Sequence, residues 1–323
     1  MASMSGLLLA HGVIALQLTA SPFGIHTYHE TRALHAARCS PPVAVSERHN
    51  QAYKETIKLF EPLPPDAPLN LVELVSHVPP PGDGIAEDYL VHTSAVPLLT
   101  SEECELVIQE VRRQASSHHR LLRKLNLLEP GTPLTCACVQ ISPRQSEEWA
   151  MREGGWTSQR HFNHPTTDIP LAELPRTRAM LNQAVLPSRI YPMLGQAFSK
   201  SLPNWRALRV ADAFVVKYNA TGGQTFLKPH RDGSVLSFNI ALNNRFEYEG
   251  GGTWFEGLGQ ALPIEKGHVC CHASGVMHGG HPITSGVRYI LVGFVIVEGY
   301  QNWGAFFCSD HVRQTLLFAY SPR

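Results

Sequence analysis

The sequence predicts an α+β protein: helices come first, strands follow, and the helices pack on one outer face of an antiparallel sandwich or barrel. Two observations carry this. In the first part, apolar residues recur at helical spacing, as in Leu106, Val107 and Val111, then Leu174, Leu181 and Val185, then Ile190, Leu194 and Phe198. After Trp205 the period changes, and short β-rich runs follow one another with turn residues between them. No internal repeat is visible.

The elements follow in order. Gly6 to Ala20 is an apolar run broken by His11 and Gln17, shorter than the roughly 20 residues a spanning helix needs. No transmembrane segment is therefore expected. Three readings of residues 1–46 stay open: a secretory signal core without a preceding Lys or Arg, an organellar transit peptide, or an unstructured extension. Prolines 62, 64, 65, 68, 79, 80 and 81 mark residues 47–92 as a linker or edge-wrapping segment, with one strand within Asn70 to Val75. Thr100 and Glu103 have capping-box spacing and open a helix. Residues 117–165 read as loops with short strands. Glu173 to Lys200 reads as two helical stretches separated by Pro187. Strands are expected at Ala211–Tyr218, Val235–Leu242, Thr253–Glu256, Gln260–Ile264, His268–His272 and Arg288–Val297. The main domain spans 93–300, with its core at 208–298, and 301–323 form a tail.

Composition excludes little but points somewhere. The 323 residues carry 27 Lys+Arg against 27 Asp+Glu. Zero net charge argues against a chain built around a polyanion, so no nucleic-acid partner is expected. The seven Cys are scattered, and Cys136-Ala137-Cys138 lacks the second half of a zinc knuckle. They read as small, reduced, buried residues, which favours a reducing, cytoplasmic compartment. Oligomeric state is not legible. The unusual number is 17 His.

Most of those histidines are structural or solvated, so the question is which few are not. In an extended chain His230 and Asp232 project to the same side and can grip one ion. Alone, His-x-Asp is weak. Downstream, His278 opens H-G-G-H-P-I-T-S-G-V-R and leads into the last β run. Two His and one carboxylate with open positions opposite form the facial set of non-haem Fe(II) oxygenases, leaving room for a chelating 2-oxo acid and O₂. Arg288 then heads one face of the last strand, with Ile290, Val292, Phe294 and Ile296. A guanidinium on an apolar inward row is costly without an anion, and a dicarboxylate supplies one in bidentate geometry.

Four motifs, "VVKYNATGGQTFLKPHRD", "SFNIALNN", "EGGGTWFE" and "HGGHPITSGVRYILVGFV", follow in that order over about ninety residues. Through them the chain resembles the iron- and 2-oxoglutarate-dependent prolyl/lysyl hydroxylase superfamily, and within it the procollagen lysyl hydroxylases more than the prolyl 4-hydroxylases. The resemblance implies a double-stranded β-helix (jelly-roll, cupin-like) core. It implies His230, Asp232 and His278 as ligands of Fe(2+), and Arg288 as the residue holding the distal carboxylate of 2-oxoglutarate. Tyr218 matches a tyrosine lining that co-substrate pocket, with a plain core tyrosine as the alternative. The implied cofactors are Fe(2+), 2-oxoglutarate, O₂ and ascorbate. The implied reaction hydroxylates an unactivated C–H and releases succinate and CO₂. A prolyl or lysyl residue of a protein is the expected substrate; a free amino acid or small metabolite is the alternative, and a silent metal-binding module the third reading. His268, His272, His281 and the His161/His164 pair compete for metal roles, but only His278 has the proline and arginine spacing of the pattern. The loops Asn219–Lys228 and Asn243–Gly252 are candidate lids, and one of Trp254 and Phe255 should face the site.

Overall fold

The computed structural model describes residues 53–77, 91–124, 156–157, 160–161, 164–199, 202 and 204–298. The expectations for residues 1–46, for the Cys136–Cys138 pair and for the tail lie outside the described residues.

In chain order the strands and helices are β1 (Leu74–His77), β2 (Val91–Ser94), α1 (Ser101–Lys124), β3 (Asp168–Pro170), α2 (Pro175–Met180) and α3 (Tyr191–Ala197). There follow β4 (Leu208–Asn219), β5 (Leu227–His230), β6 (Leu236–Ala241), β7 (Tyr248–Gly250), β8 (Thr253–Phe255), β9 (Gln260–Leu262), β10 (Val269–Ala273), β11 (His278–Gly280) and β12 (Ile283–Val297). The larger sheet runs β1-β2-β10-β6-β12-β4-β3, with β7 paired to the start of β12; the smaller runs β5-β11-β8-β9. Every pairing is antiparallel. The α+β expectation is borne out.

Alternation along β4 explains the layering. Ala211, Ala213 and Val215 join a large core with Val107, Val111, Leu181, Val185 and Leu194 of the helices. Phe214, Val216 and Tyr218 face the other way, into a second cluster with Tyr248 and Ile283. A third cluster joins Val91, Ala241 and Cys270 of the larger sheet to Phe255 and Leu262 of the smaller one. The two sheets therefore pack face to face, and the helices cover the far side of the larger one. Phe60, Leu63 and Ala67 of the proline-rich stretch are buried in the helix-side core. No helix among the described residues is long and apolar enough to cross a membrane.

Local chemistry sets the helix ends. Glu103 N donates to Thr100 Oγ1 (3.2 Å) and Thr100 N donates to Glu103 Oε2 (2.8 Å), closing the capping box. Cys104, Cys270 and Cys271 are buried and outside any disulfide. Burial pushes the Cys270 thiol up to about 12.

Four expectations need correction. The helix read as ending before residue 117 continues to Lys124; Leu, Arg and Lys are good helix formers there. Pro187 does not separate two helices. It sits inside a widened, π-helical stretch (Leu181–Ile190) that joins α2 to α3. There Ser188 Oγ donates to Ala184 O, while Leu181, Val185, Leu186 and Ile190 stay buried. Packing thus carries the chain through the missing N–H. Ile296 does not share a face with Arg288, because the β12–β4 register shifts between Phe294 and Val295 and turns Ile296 into the helix-side core. Finally, Asn243–Gly252 is no free lid: β7 is hydrogen-bonded to β12, and Asn244 caps the turn before β7, its N–H donating to Glu247 Oε1 (2.9 Å).

Glu110 on α1 illustrates how the helices are tied together. Its buried carboxylate accepts from Arg176 N (2.9 Å), Thr177 N (2.7 Å) and Thr177 Oγ1 (2.7 Å) at the start of α2. An anion there also meets the positive end of the helix. Glu110→Ala strands three donors and should cost about 2–3 kcal/mol of unfolding free energy. A urea titration checks this; a loss under about 0.5 kcal/mol would contradict it.

Candidate metal centre and adjoining cavity

His230 ends β5, His278 opens β11, and the two residues are directly opposed in the antiparallel pair. Side chains so opposed lie on one face, and the ring centroids are 4.5 Å apart. Asp232 follows where the chain leaves β5, its N–H donating to Ser274 O (3.0 Å). One ligand atom from each of His230, Asp232 and His278 lies within 4.8 Å of the others. Among the described residues this is the one such group.

The imidazoles are oriented from behind. Nδ1 of His230 lies 2.8 Å from Lys228 O, and Nδ1 of His278 lies 2.9 Å from Val276 O. A carbonyl only accepts, so each Nδ1 carries a hydrogen and each Nε2 faces inward. His230 Nε2 is 3.3 Å from Asp232 Oδ1, and His278 Nε2 is 3.5 Å from Asp232 Oδ2. Burial holds His278 well below the usual imidazole range, with His272 adding to the effect. Burial also works to lower His230, but Asp232 outweighs it and moves His230 up. Burial alone would raise Asp232; His278 and His230 outweigh it and hold the carboxyl far below the ordinary range. Inward lone pairs beside a carboxylate call for a cation between them, either a proton on His230 or a metal ion. Two imidazoles and one carboxylate suit a borderline divalent ion.

These residues open onto a cavity of about 600 Å³ between the sheets. The register of β4 with β12 sets its two rows: Tyr218 beside Arg288, Val216 beside Ile290, Phe214 beside Val292, and Asp212 beside Phe294. Six residue-to-residue steps along the strand make the row about 20 Å long.

Arg288 marks one end. It is 1% exposed, and its guanidinium lies 5.4 Å from the Tyr218 ring. Nη1 donates weakly to Gly252 O (3.3 Å), and Nε is buried without a partner. Among the described residues no carboxylate pairs with it. A buried cation left this way is costly, so the site fits a bound anion. Tyr218 is itself 2% exposed and lines the cavity, so the core and pocket readings of this residue both describe it. Burial raises its pKa, and Arg288 works against that rise. Its hydroxyl needs Gly280: a Cβ there would sit 2.5 Å from the oxygen.

The other end was missed by sequence reasoning. Arg160 Nε donates to Asp168 Oδ2 (3.3 Å) and Arg160 Nη2 to Asp212 Oδ2 (3.0 Å). Its guanidinium stands 5.0 Å from the Phe214 ring. Tyr53 and Phe294 complete this wall. Asp168 Oδ1 is buried without a partner. The clue was the alternation Asp212, Phe214, Val216, Tyr218, which puts an acid on an otherwise apolar face. The pairing with Arg160, fifty-two positions away, had none.

The competing histidines fall elsewhere. His272 is buried beside His278 (centroids 4.1 Å), with Nδ1 3.0 Å from Ala273 O. His268 Nδ1 faces Ser94 O (3.0 Å), and His281 Nδ1 is buried unpaired. His161 Nε2 is 3.2 Å from Asp168 Oδ2, and His164 stacks on His230 at 4.7 Å. Phe255 is the inward member of the Trp254–Phe255 pair, 6.0 Å from His278. The Asn219–Lys228 loop is stitched down by Gln224, which accepts from Thr167 N (2.6 Å) and donates to Pro165 O (3.0 Å).

Fold and site together define a β-sandwich protein with a two-histidine, one-carboxylate centre and a buried arginine in the same cavity. Comparison with known proteins then names its relatives. The chain is 32% identical over 218 residues to a rat "multifunctional procollagen lysine hydroxylase and glycosyltransferase LH3", covering 66% of this chain and 25% of that protein. It is 41% identical over 98 residues to a procollagen lysyl hydroxylase and glycosyltransferase of Acanthamoeba polyphaga mimivirus, covering 28% of this chain and 11% of that one. The chain thus spans about a quarter or less of the length of these relatives. Among solved structures, a viral collagen prolyl hydroxylase of Paramecium bursaria Chlorella virus-1 matches at 14% identity and TM-score 0.34, covering 67% of this chain and all of that one. No protein-family model matches the chain. The resemblance to the procollagen lysyl hydroxylases is borne out by these relatives.

Gly251 packs against Arg288. Its φ is +73°, and a Cβ there would stand 3.1 Å from Arg288 Cδ. Gly251→Ala should cost about 1–2 kcal/mol from the left-handed backbone alone. A thermal melt unchanged from the parent protein would contradict this packing.

Proposed function

We propose that this chain is an Fe(II)- and 2-oxoglutarate-dependent dioxygenase that hydroxylates an unactivated C–H of a protein substrate, with a lysyl side chain as its target. The observation that carries the reading is the convergence of His230, Asp232 and His278 in the cavity that also holds Arg288, buried without an acid partner. We read the two facing sheets as the halves of a double-stranded β-helix.

When bound, the iron would supply O₂ activation coupled to oxidative decarboxylation of 2-oxoglutarate. Every other part of the work falls to the chain. His230, Asp232 and His278 would hold Fe(2+) on one side, leaving the cavity side open. Arg288 would take the distal carboxylate of 2-oxoglutarate, with the Tyr218 ring against its guanidinium. Phe214, Val292 and Phe294 line the space beyond and keep it apolar. Ascorbate would keep the iron reduced in the same reading.

Two things support a lysyl target. The first is the printed names of the relatives. The second is the far end of the cavity, where Arg160 and Asp212 line the wall and the same guanidinium also pairs with the buried Asp168. That leaves one formal negative charge among aromatic rings, a setting that suits an ammonium group.

His278→Ala and Asp232→Ala should each abolish Fe(II)-dependent succinate formation, while His272→Ala retains it. Succinate formation that survives His278→Ala and disappears in His272→Ala would assign the ligand wrongly. Arg288→Ala should raise KM for 2-oxoglutarate about ten- to a hundred-fold, the worth of a charge-assisted contact of about 1.5–3 kcal/mol. An unchanged KM would remove Arg288 from co-substrate binding. Asp212→Asn should raise KM for a lysyl peptide roughly tenfold and leave a prolyl peptide alone. Equal effects on both peptides would contradict the lysyl assignment.

A further inference from the structure

Behind Asp232 lies a cluster of three buried hydroxyls that metal coordination does not use. Ser234 and Ser274 are fully buried, and Ser237 is 2% exposed. Ser237 Oγ stands 2.5 Å from Asp232 Oδ2. Ser274 Oγ is 3.0 Å from Ser237 Oγ, and Ser234 Oγ is 3.1 Å from it. Ser234 and Ser274 are 2.6 Å from each other. The cluster spans three elements: the turn after β5, strand β6, and the end of β10. Backbone bonds brace the same junction, from Asp232 N to Ser274 O (3.0 Å) and from Ser274 N to Val235 O (3.1 Å).

Proton counting gives the cluster a direction. Ser237 Oγ donates to Asp232 Oδ2, and an ionised carboxylate only accepts. Ser237 must therefore spend its one hydroxyl proton on Asp232 Oδ2. It can then only accept from Ser234 or Ser274. One of those two donates to Ser237, and the other donates to it in turn. All the protons run toward the carboxylate, and each bond polarises the next. A carboxylate with one oxygen tied in this way cannot rotate freely, and Oδ1 is the oxygen turned toward His230 Nε2 (3.3 Å).

We propose that Ser237, backed by Ser234 and Ser274, is a positioning residue that ties Asp232 Oδ2, the oxygen on the His278 side, and so leaves Oδ1, on the His230 side, as the oxygen offered to the metal. This keeps the ligand one-toothed and the remaining metal positions free for co-substrate and O₂. The proposal rests on the metal reading above, and its sequence trace is modest. Ser237 is one of the small polar residues alternating along β6, and Ser234 and Ser274 lie outside any motif.

The test is metal binding, followed by the visible absorption of Co(II) as a spectroscopic stand-in for Fe(II), on the full chain. The parent protein should bind one Co(II) per chain. Ser237→Ala should weaken that binding about 10- to 100-fold, the usual cost of losing a group that orients a ligand, and should alter the Co(II) band. Ser237→Thr, which keeps the hydroxyl, should restore most of the affinity. Ser274→Ala removes only the backing and should weaken binding by a smaller factor, a few-fold. In the Asp232→Ala background, adding Ser237→Ala should change Co(II) affinity no further, because Ser237 acts through Asp232. Parent-like affinity and spectrum in Ser237→Ala would overturn the proposal. So would an equal loss from Ser237→Ala with and without Asp232, which is the mark of a merely structural role. If Ser237→Ala fails to fold, Ser274→Ala decides alone, and parent-like binding there counts against the relay. A parent protein that binds no Co(II), or binds it equally after Asp232→Ala, would instead overturn the metal reading itself.

Discussion

The antiparallel pairing that sets His278 opposite His230 is the constraint on which the site depends. Because side chains alternate along a strand, a slip of one residue between β5 and β11 would turn one histidine away from the cavity. Several neighbours hold the register. On the far side of β11, Phe255 lies opposite His278 and Trp254 opposite Gly279. Gly279 and Gly280 leave no room for side chains, since a Cβ at Gly279 would meet Leu227 O at 2.7 Å. The small sheet is therefore tightly specified where the ligands sit, and Asp232 is added by the first turn after it.

Charge is arranged around that constraint. The cavity carries a buried guanidinium at one end and the Arg160–Asp212 pair at the other, with Asp168 buried against Arg160, and the histidines and Asp232 also open onto it. Folding had to desolvate all of these groups, and hydrophobic packing on the helix side of the large sheet offsets the cost. Arg288 is the clearest case of tension: it is fully enclosed, it stacks against Tyr218, and it has only a weak carbonyl contact. A partner anion would relieve the cost of burying such a group.

Much of this was legible before any coordinates. The β runs from Ala211 onward and the Thr100–Glu103 cap could be read because each rests on local spacing or on period, and the His230, Asp232, His278 and Arg288 set because its motifs resemble those of a known family. What escaped depends on contacts far apart in sequence or on breaks in period. The bulge at Phe294–Val295 moved Ile296 off the face that simple alternation gave it. Pro187 reads locally as a stop, yet buried Val185, Leu186 and Ile190 carry a widened helix through it. The glycines of Gly250–Gly252 suggested a hinge, while pairing of β7 with β12 makes them a fixed wall beside Arg288. The role of Arg160 was invisible because its carboxylates sit on β3 and β4, which only the β3–β4 pairing brings together. Burial of Phe60 and Leu63 was likewise unreadable from a proline-rich composition.

The most direct measurement is diffraction from crystals grown with Mn(II), a redox-quiet stand-in for Fe(II), and 2-oxoglutarate. The account predicts one anomalous peak in contact with His230 Nε2, Asp232 Oδ1 and His278 Nε2. It also predicts 2-oxoglutarate with its distal carboxylate on the Arg288 guanidinium. A metal held instead by His272 or by His161 and His164, or a diacid bound away from Arg288, would contradict it.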